Sequence, residues 1–282
     1  MNTAALVQGW SIDMIGRHLD ELPPLASLLP PGSRVNVGAA NGEAPDLRRI
    51  TAASVAAHGL TPMPHVAARR VPSPEALHGL LAGLHQDGSS RHLLLLGGDP
   101  PAPRGPYGAA LDVLRSVQLG SYGTETVGIS GYPEGHPAIP PQDLWSALLT
   151  KAAVLADQGL HMELFTQFTL FADPVVNWIE AVRSAGITAP VRVGVVGPIE
   201  PARLLAYARR AGATTDVDLA DRYGFFSTEL PLRIGPDQLI EDLAQRLDPE
   251  AHGEVRIHLY ALGGLLDTAT WMQDATRWWR SV

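Results

Sequence analysis

Short apolar runs alternate with longer amphipathic segments along the whole chain. The apolar runs stop at Gly, Pro or a polar residue, which is typical of strands buried in a parallel sheet. On this pattern we predict eight strands, at 10–15, 34–39, 63–68, His92–Leu96, 126–130, 162–168, Val191–Val196 and 255–261.

The segments between the apolar runs have the periodicity of helices. Ser73 followed by a proline is typical of a helix N-cap, and Gly59 and Gly212 stand where a helix commonly ends in a left-handed glycine. We predict helices at 17–29, 45–58, 73–86, 107–119, 141–158, 173–184, Pro201–Ala211, 236–247 and 265–279.

Eight strand–helix alternations without a break in composition predict a single (β/α)8 TIM barrel. Residues 214–232 do not fit the alternation, and we interpret them as an insertion before the last strand. The alternative is an open, doubly wound sheet divided into two domains, but no linker supports the division. In a barrel, the chemistry is expected at the carboxyl ends of the strands.

Composition excludes several classes of protein. The 282 residues include 45% hydrophobic and 18% charged residues, no cysteine and a net charge of −8, which argues against disorder, thiolate chemistry and a general nucleic-acid binder. No apolar run approaches the roughly 20 residues that span a bilayer. The first residues lack a basic leader, and the ten histidines have no metal-ligand spacing. We therefore expect a cytoplasmic protein without a metal, a membrane or a nucleic-acid partner.

Polar residues at the predicted strand ends are the candidates for chemistry. Asp13 lies in an otherwise apolar strand, where desolvation should raise its pKa, and it is either catalytic or structurally paired. His65 is a functional side chain or a hydrogen-bonded core histidine, and Asp99 is a ligand contact or a loop cap. Gln167 needs partners from the protein or from a ligand. Asn41 also follows a strand.

Two further features concern partners. Lys151 is the one lysine among 21 basic residues, which singles it out as a candidate contact. Near the C-terminus there are three tryptophans, Trp271, Trp278 and Trp279. They predict a helix that packs on the barrel wall or on another subunit, so a homo-oligomer is one expected arrangement. The common nucleotide-binding, zinc-protease and serine-hydrolase motifs are absent from the sequence.

Three motifs in order resemble the methylenetetrahydrofolate reductase family. They are Leu-Leu-Leu-Leu-Gly-Gly-Asp-Pro-Pro at 93–101, Gly-Tyr-Pro-Glu-Gly-His-Pro at 131–137 and Phe-Thr-Gln-Phe at 165–168. Each lies on a successive predicted strand, and the resemblance is clearest from about 36 to 212. The chain is similar to a short, divergent bacterial branch of that family.

The resemblance implies a (β/α)8 flavoprotein of one-carbon metabolism. Such an enzyme interconverts 5,10-methylenetetrahydrofolate and 5-methyltetrahydrofolate by hydride transfer through FAD, with NADH or NADPH as the other substrate. The sequence favours neither direction of the reaction and neither nicotinamide cofactor.

The resemblance also implies roles for individual residues. Asp13 falls on the family's proton donor to the leaving nitrogen, and Asp99 is expected to stabilise the cationic intermediate and tune the flavin. Gln167 and Asp99 would contact the folate. The positions that match flavin contacts are His65, Leu96, Gly98, Asp99, Tyr107, His136 and Lys151.

The sequence departs from the family pattern at several of these positions. Asp13 replaces a glutamate, Gly97 replaces an arginine and Gly38 stands where the family has a threonine. The last strand ends in Gly263-Gly264 and lacks an arginine that contacts folate. Two alternatives therefore stay open: a folate-binding barrel that has lost flavin or catalysis, and a barrel enzyme with a related cofactor and another substrate.

Overall fold

The eight predicted strands form a closed, all-parallel barrel in chain order, which confirms the (β/α)8 TIM barrel. The computed structural model describes residues 1–40, 42–44, 46–211 and 233–281. Asn41, Gly212 and the predicted insertion at 214–232 lie outside the described residues. The strands are β1 Ser11–Ile15, β2 Arg34–Gly38, β3 Thr61–Ala67, β4 His92–Leu96, β5 Thr126–Gly131, β6 His161–Thr166, β7 Val191–Val196 and β8 Val255–Tyr260.

Helices follow the strands as the alternation predicts. None of the described helices is both long enough and apolar enough to cross a membrane. The α-helices are α1 Thr3–Leu6, α2 Leu22–Leu28, α3 Leu47–Ala57, α4 Pro74–Gln86, α5 Ala110–Ser116, α6 Pro141–Asp157, α7 Ala172–Ser184, α8 Pro201–Ala211, α9 Asp237–Arg246, α10 Pro249–His252 and α11 Leu265–Ser281. Short 3₁₀ helices occupy Gly16–Glu21, Ala68–Arg70 and Leu119–Tyr122.

Local sequence signals set several helix ends. The Ser73 side chain accepts a hydrogen bond from the backbone N–H of Ala76 at 3.2 Å, which confirms the predicted N-cap of α4. Helix α3 ends at Ala57, and Gly59 beyond it has a φ of 74°. That left-handed backbone is reached at little cost by glycine, so the predicted stop at Gly59 is also confirmed.

Two predicted helices differ in the structure. The single helix predicted at 17–29 is wrong, because a 3₁₀ helix covers Gly16–Glu21 and α2 starts at Leu22. Pro23 and Pro24 follow that start, where prolines are tolerated since the first helical N–H groups have no partner within the helix. The helix predicted at 107–119 is shorter, and Tyr107 precedes it.

Contact clustering divides the described chain into two compact units. Unit 1 comprises Met1–Trp10, Gly131–Leu144 and Thr166–Val282, and unit 2 comprises Ser11–Ser130 and Trp145–Phe165. One buried apolar cluster of unit 1 includes Phe168, Leu170, Val196, Ile199, Leu204 and Ile234, and one of unit 2 contains Met63, Leu94 and Phe165. The organisation as one domain stays a prediction.

Candidate functional site

The inward face of the unit 2 strands is identified by contacts between strands that are not neighbours. Met63 on β3 and Leu94 on β4 pack with Phe165 on β6. A Cβ built on Gly128 of β5 would lie 2.6 Å from Met63 Cε and 3.0 Å from Phe165 Cε2, so a larger residue there would require these side chains to move. These side chains meet because they project into the barrel interior.

Asp13 and Asn36 share this inward face. Asp13 is the register partner of Asn36, and Asn36 is the register partner of Met63, so the three side chains point to the same side of the sheet. Asp13 is half-buried, while Asn36 is fully buried. Neither polar side-chain atom of Asn36 has a hydrogen-bond partner in the described part of the chain. A carboxyl group and an unsatisfied carboxamide are thus adjacent inside the barrel.

One level nearer the carboxyl ends of the strands, Gly38 faces His65. A Cβ built on Gly38 would lie 3.4 Å from His65 Nδ1 and 3.3 Å from Ile15 Cγ2. The absence of a side chain at Gly38 therefore leaves room for the imidazole. The other ring nitrogen, His65 Nε2, is buried and has no partner among the described residues. A buried polar atom without a partner is a candidate ligand contact.

The environment of His65 keeps its ring neutral. Burial first, and then the positive charge of Arg48, lower the pKa of His65 from 6.5 to about 3. A neutral imidazole has one donor and one acceptor nitrogen, so at neutral pH His65 can orient a ligand but is not a proton donor of the imidazolium type.

We predict a pH dependence of stability from His65. The unfolded chain binds more protons than the folded chain between about pH 3 and 6.5, so stability falls as the pH is lowered through that range. Wild type should lose about 1–2 kcal/mol more than His65→Gln between pH 8 and pH 5, as urea unfolding at both pH values would measure. His58→Gln, at an exposed histidine, is the control and should behave as wild type. Equal losses in wild type and His65→Gln would contradict the prediction.

The turn after β4 holds three of the predicted cofactor contacts. Leu96 and Gly98 are half-buried and Asp99 is exposed. Gly98 has a φ of 94°, and a Cβ there would lie 3.2 Å from the Ala67 Cβ, so the turn requires glycine at this position. A Cβ at Gly97 would meet nothing within 4 Å, which leaves open space over the turn.

The short 3₁₀ helix Ala68–Arg70, which follows β3, places a cation beside this turn. The Arg70 guanidinium pairs with Asp99 at 3.1 Å and donates to the carbonyl oxygens of Ala39 and Ala40 at 2.8 and 3.2 Å. Arg70 thus joins the ends of β2 and β4, and its charge offsets that of Asp99. Asp99 was expected to place a negative charge beside a flavin, but in the structure it forms an ion pair at this turn.

The remaining predicted contacts of unit 2 have mixed environments. The Tyr107 side chain is buried, with 4% of its surface exposed. Lys151 lies within α6, and burial lowers its pKa to about 8. An anion beside the amine would stabilise its charged form, which fits the predicted contact with cofactor phosphates. Arg69, in contrast, is engaged with the carbonyl oxygens of Gly108 and Pro100.

His136 and Gln167 belong to unit 1. His136 follows β5, its Nδ1 accepts from the backbone N–H of Ala138 at 3.1 Å, and its ring meets Tyr132 edge to face. Gln167 was predicted within a strand, but β6 ends at Thr166 and Gln167 follows it, with its N–H bonded to the Gly131 carbonyl at 2.8 Å. The convergence of His136 and Gln167 with Asp13 and Asp99 stays a prediction.

Sequence reasoning missed three residues of this region. Asn36 is the one polar residue in the apolar run Val-Asn-Val, and that pattern could have found it. Arg48 lies in α3 and Arg70 in the 3₁₀ helix Ala68–Arg70. Arginine is common in helices near the surface, so the sequence context of both residues is uninformative. No group of three or more metal-ligating side chains is found among the residues that the structure describes.

Comparison with known proteins places this geometry in a family. The family model of methylenetetrahydrofolate reductase matches residues 17–262. The chain belongs to the methylenetetrahydrofolate reductase family. It is 28% identical over 165 residues to methylenetetrahydrofolate reductase 2 of Saccharomyces cerevisiae, which covers 56% of the chain and 26% of that protein.

A second relative agrees with the first. The chain is 26% identical over 203 residues to methylenetetrahydrofolate reductase 1 of Schizosaccharomyces pombe, which covers 67% of the chain and 32% of that protein. The chain thus spans about a quarter to a third of the length of these curated relatives of the methylenetetrahydrofolate reductase family.

A solved structure has the same fold. It is an uncharacterised protein from Clostridium thermocellum that is described as binding two copies of 5-methyl-5,6,7,8-tetrahydrofolic acid. The TM-score is 0.64 with 10% sequence identity, and the match covers 95% of this chain and 94% of that one. At this identity the likeness concerns the fold.

Proposed function

We propose that the protein is a flavin-dependent oxidoreductase that interconverts 5,10-methylenetetrahydrofolate and 5-methyltetrahydrofolate with NADH or NADPH. The observation that carries the proposal is Asp13, which matches the family's proton donor and lies half-buried on the inward face of β1. The family match over residues 17–262 supports the reaction class.

The residues of unit 2 fit a flavin cofactor. The space over Gly97 and the unpartnered Nε2 of His65 suit a planar polar ring, and the amine of Lys151 suits a phosphate. Bound FAD would supply the hydride transfer between the nicotinamide and the folate. Leu96, Gly98, Tyr107 and Lys151 would hold it, and His136 is proposed as a further contact.

Asp13 would act on the folate. A methylene bridge between two nitrogens accepts hydride only after it opens to a cationic iminium, and opening requires a proton on the leaving nitrogen. Asp13 would donate that proton. Gln167 would hydrogen-bond the pterin, and Asp99, which is paired with Arg70, would be a further contact of the folate.

A second function is favoured by a specific observation. A folate-binding barrel without flavin or catalysis is consistent with glycine at 38, 97 and 264, and the Clostridium thermocellum structure is described as a folate complex. In that case Asp13 and Gln167 would serve binding alone.

The absorption spectrum of the purified protein distinguishes the two functions. We expect flavin bands near 370 and 450 nm after incubation with excess FAD and desalting, and bleaching of the longer band with NADH or NADPH under anaerobic conditions. His136→Ala and Asp99→Ala should each retain less flavin. A wild-type protein that stays colourless with excess FAD yet binds methyltetrahydrofolate would establish the second function instead.

A further inference from the structure

A cavity of about 620 Å³ in unit 2 lies outside the proposed hydride-transfer chemistry. It lies between α3 and α4, next to the ends of β2 and β3, and its volume suits a small organic ligand. Alanine, valine, proline and leucine side chains form part of the wall. Its charged lining residues are Glu43, Asp46, Arg48, Arg49, Arg70 and Arg104.

Two of the four arginines already have an ion-pair partner. Arg49 pairs with Asp87 at 2.5 Å, and Arg70 is held by Asp99 and two backbone carbonyls. Arg48 differs, because it has no hydrogen bond or ion pair within the described residues and its Nε is buried. Burial and the charge of Arg70 lower the pKa of Arg48 to about 10, while the carboxylate of Glu43 acts in the opposite direction, so the guanidinium is still charged at neutral pH.

Glu43 has a buried acceptor oxygen that lacks a hydrogen-bond donor in the part of the chain that the structure describes. Its Oε2 accepts a hydrogen bond from the Ala40 N–H at 2.9 Å, while its Oε1 is buried without a donor in the described ranges. The buried Nε of Arg48 has no acceptor and the buried Oε1 of Glu43 has no donor among the described residues, and both side chains line the same cavity. Unsatisfied buried polar atoms are costly, so their persistence in pairs is typical of a ligand site.

We propose that this cavity binds a small molecule that carries an oxyanion, a phosphate or a carboxylate, next to a hydroxyl or amide N–H. The oxyanion binds the planar fork of Arg48, and the neighbouring donor binds Glu43 Oε1. The apolar wall accommodates the carbon skeleton. Two kinds of compound have this chemistry, namely a sugar phosphate and a γ-linked glutamate chain. The proposal does not depend on the reaction proposed above.

Calorimetric titration with ribose 5-phosphate and, separately, with γ-glutamylglutamate tests the proposal and distinguishes the two sources. At least one compound should bind wild type saturably, and Arg48→Gln should weaken that binding about 10- to 100-fold. Arg48→Lys keeps the positive charge but not the planar guanidinium, so its affinity should lie between those of wild type and Arg48→Gln. Arg91→Gln is the control, because Arg91 precedes β4 at the opposite ends of the strands.

Two results would overturn the proposal. One is that neither compound binds wild type, and the other is that Arg91→Gln and Arg48→Gln weaken binding equally, which would indicate general charge attraction. Folding of the variants is checked by thermal unfolding without ligand. Since an unpaired buried charge is unfavourable, Arg48→Met should raise Tm by about 1–3 °C while it abolishes binding. A lowered Tm in Arg48→Met would show that Arg48 is structural.

Discussion

Asp13→Asn is expected to lower the turnover of methylenetetrahydrofolate by about 10²- to 10⁴-fold, the usual effect of removing a general acid. Asparagine has nearly the same size as aspartate, but it has no proton to give to the leaving nitrogen. The oxidation of NADH or NADPH with an artificial electron acceptor needs no folate, so this activity should be preserved. Steady-state assays of both reactions on the same preparation measure the difference.

The controls for Asp13 separate chemistry from folding. Asp13→Glu restores the residue that the wider family has at this position and should keep much of the activity. Asp157→Asn removes an equal charge at an exposed site and should be unchanged. If Asp13→Asn slows both reactions equally, Asp13 is a structural carboxylate, and if it slows neither, the proton donor is another residue.

Glu163→Gln should destabilise the protein by about 3–5 kcal/mol. Glu163 on β6 forms an ion pair with Arg34 on β2 across the inward face of unit 2, and the exposed fractions of the two side chains are only 7% and 17%. Glutamine at 163 leaves the Arg34 charge in the barrel without a counter-charge. Urea unfolding at pH 7.5 would measure the loss of the free energy of unfolding.

The chain offers a matched control for the buried pair. Arg91 and Glu125 also form an ion pair, but their side chains are 67% and 54% exposed, so Glu125→Gln should cost at most about 0.5 kcal/mol. The double variant Arg34→Met/Glu163→Leu removes both buried charges and should recover most of the stability. Equal effects of Glu163→Gln and Glu125→Gln would contradict the importance of burial.

The family and the arrangement of the candidate site were predictable to different extents. The order of the Gly-Gly-Asp, Tyr-Pro-Glu-Gly-His-Pro and Thr-Gln motifs identified the family, because such motifs are contiguous in the chain. Gly97 stands where the family has an arginine, and the motif does not show which residue provides a positive charge in its place. Arg70, 29 residues before Asp99 in the chain, brings a positive charge to this turn from the 3₁₀ helix that follows β3.

The sequence by itself determined the eight strands, the ends of several helices and the barrel that joins them. Apolar periodicity and capping residues act over a few neighbouring positions, so they are readable without coordinates. Tertiary structure decided which residues come together: Gly38 with His65, Arg34 with Glu163, and Arg48 with Glu43 around one cavity. These contacts join distant parts of the chain and depend on strand register, side-chain size and burial, which local patterns do not encode.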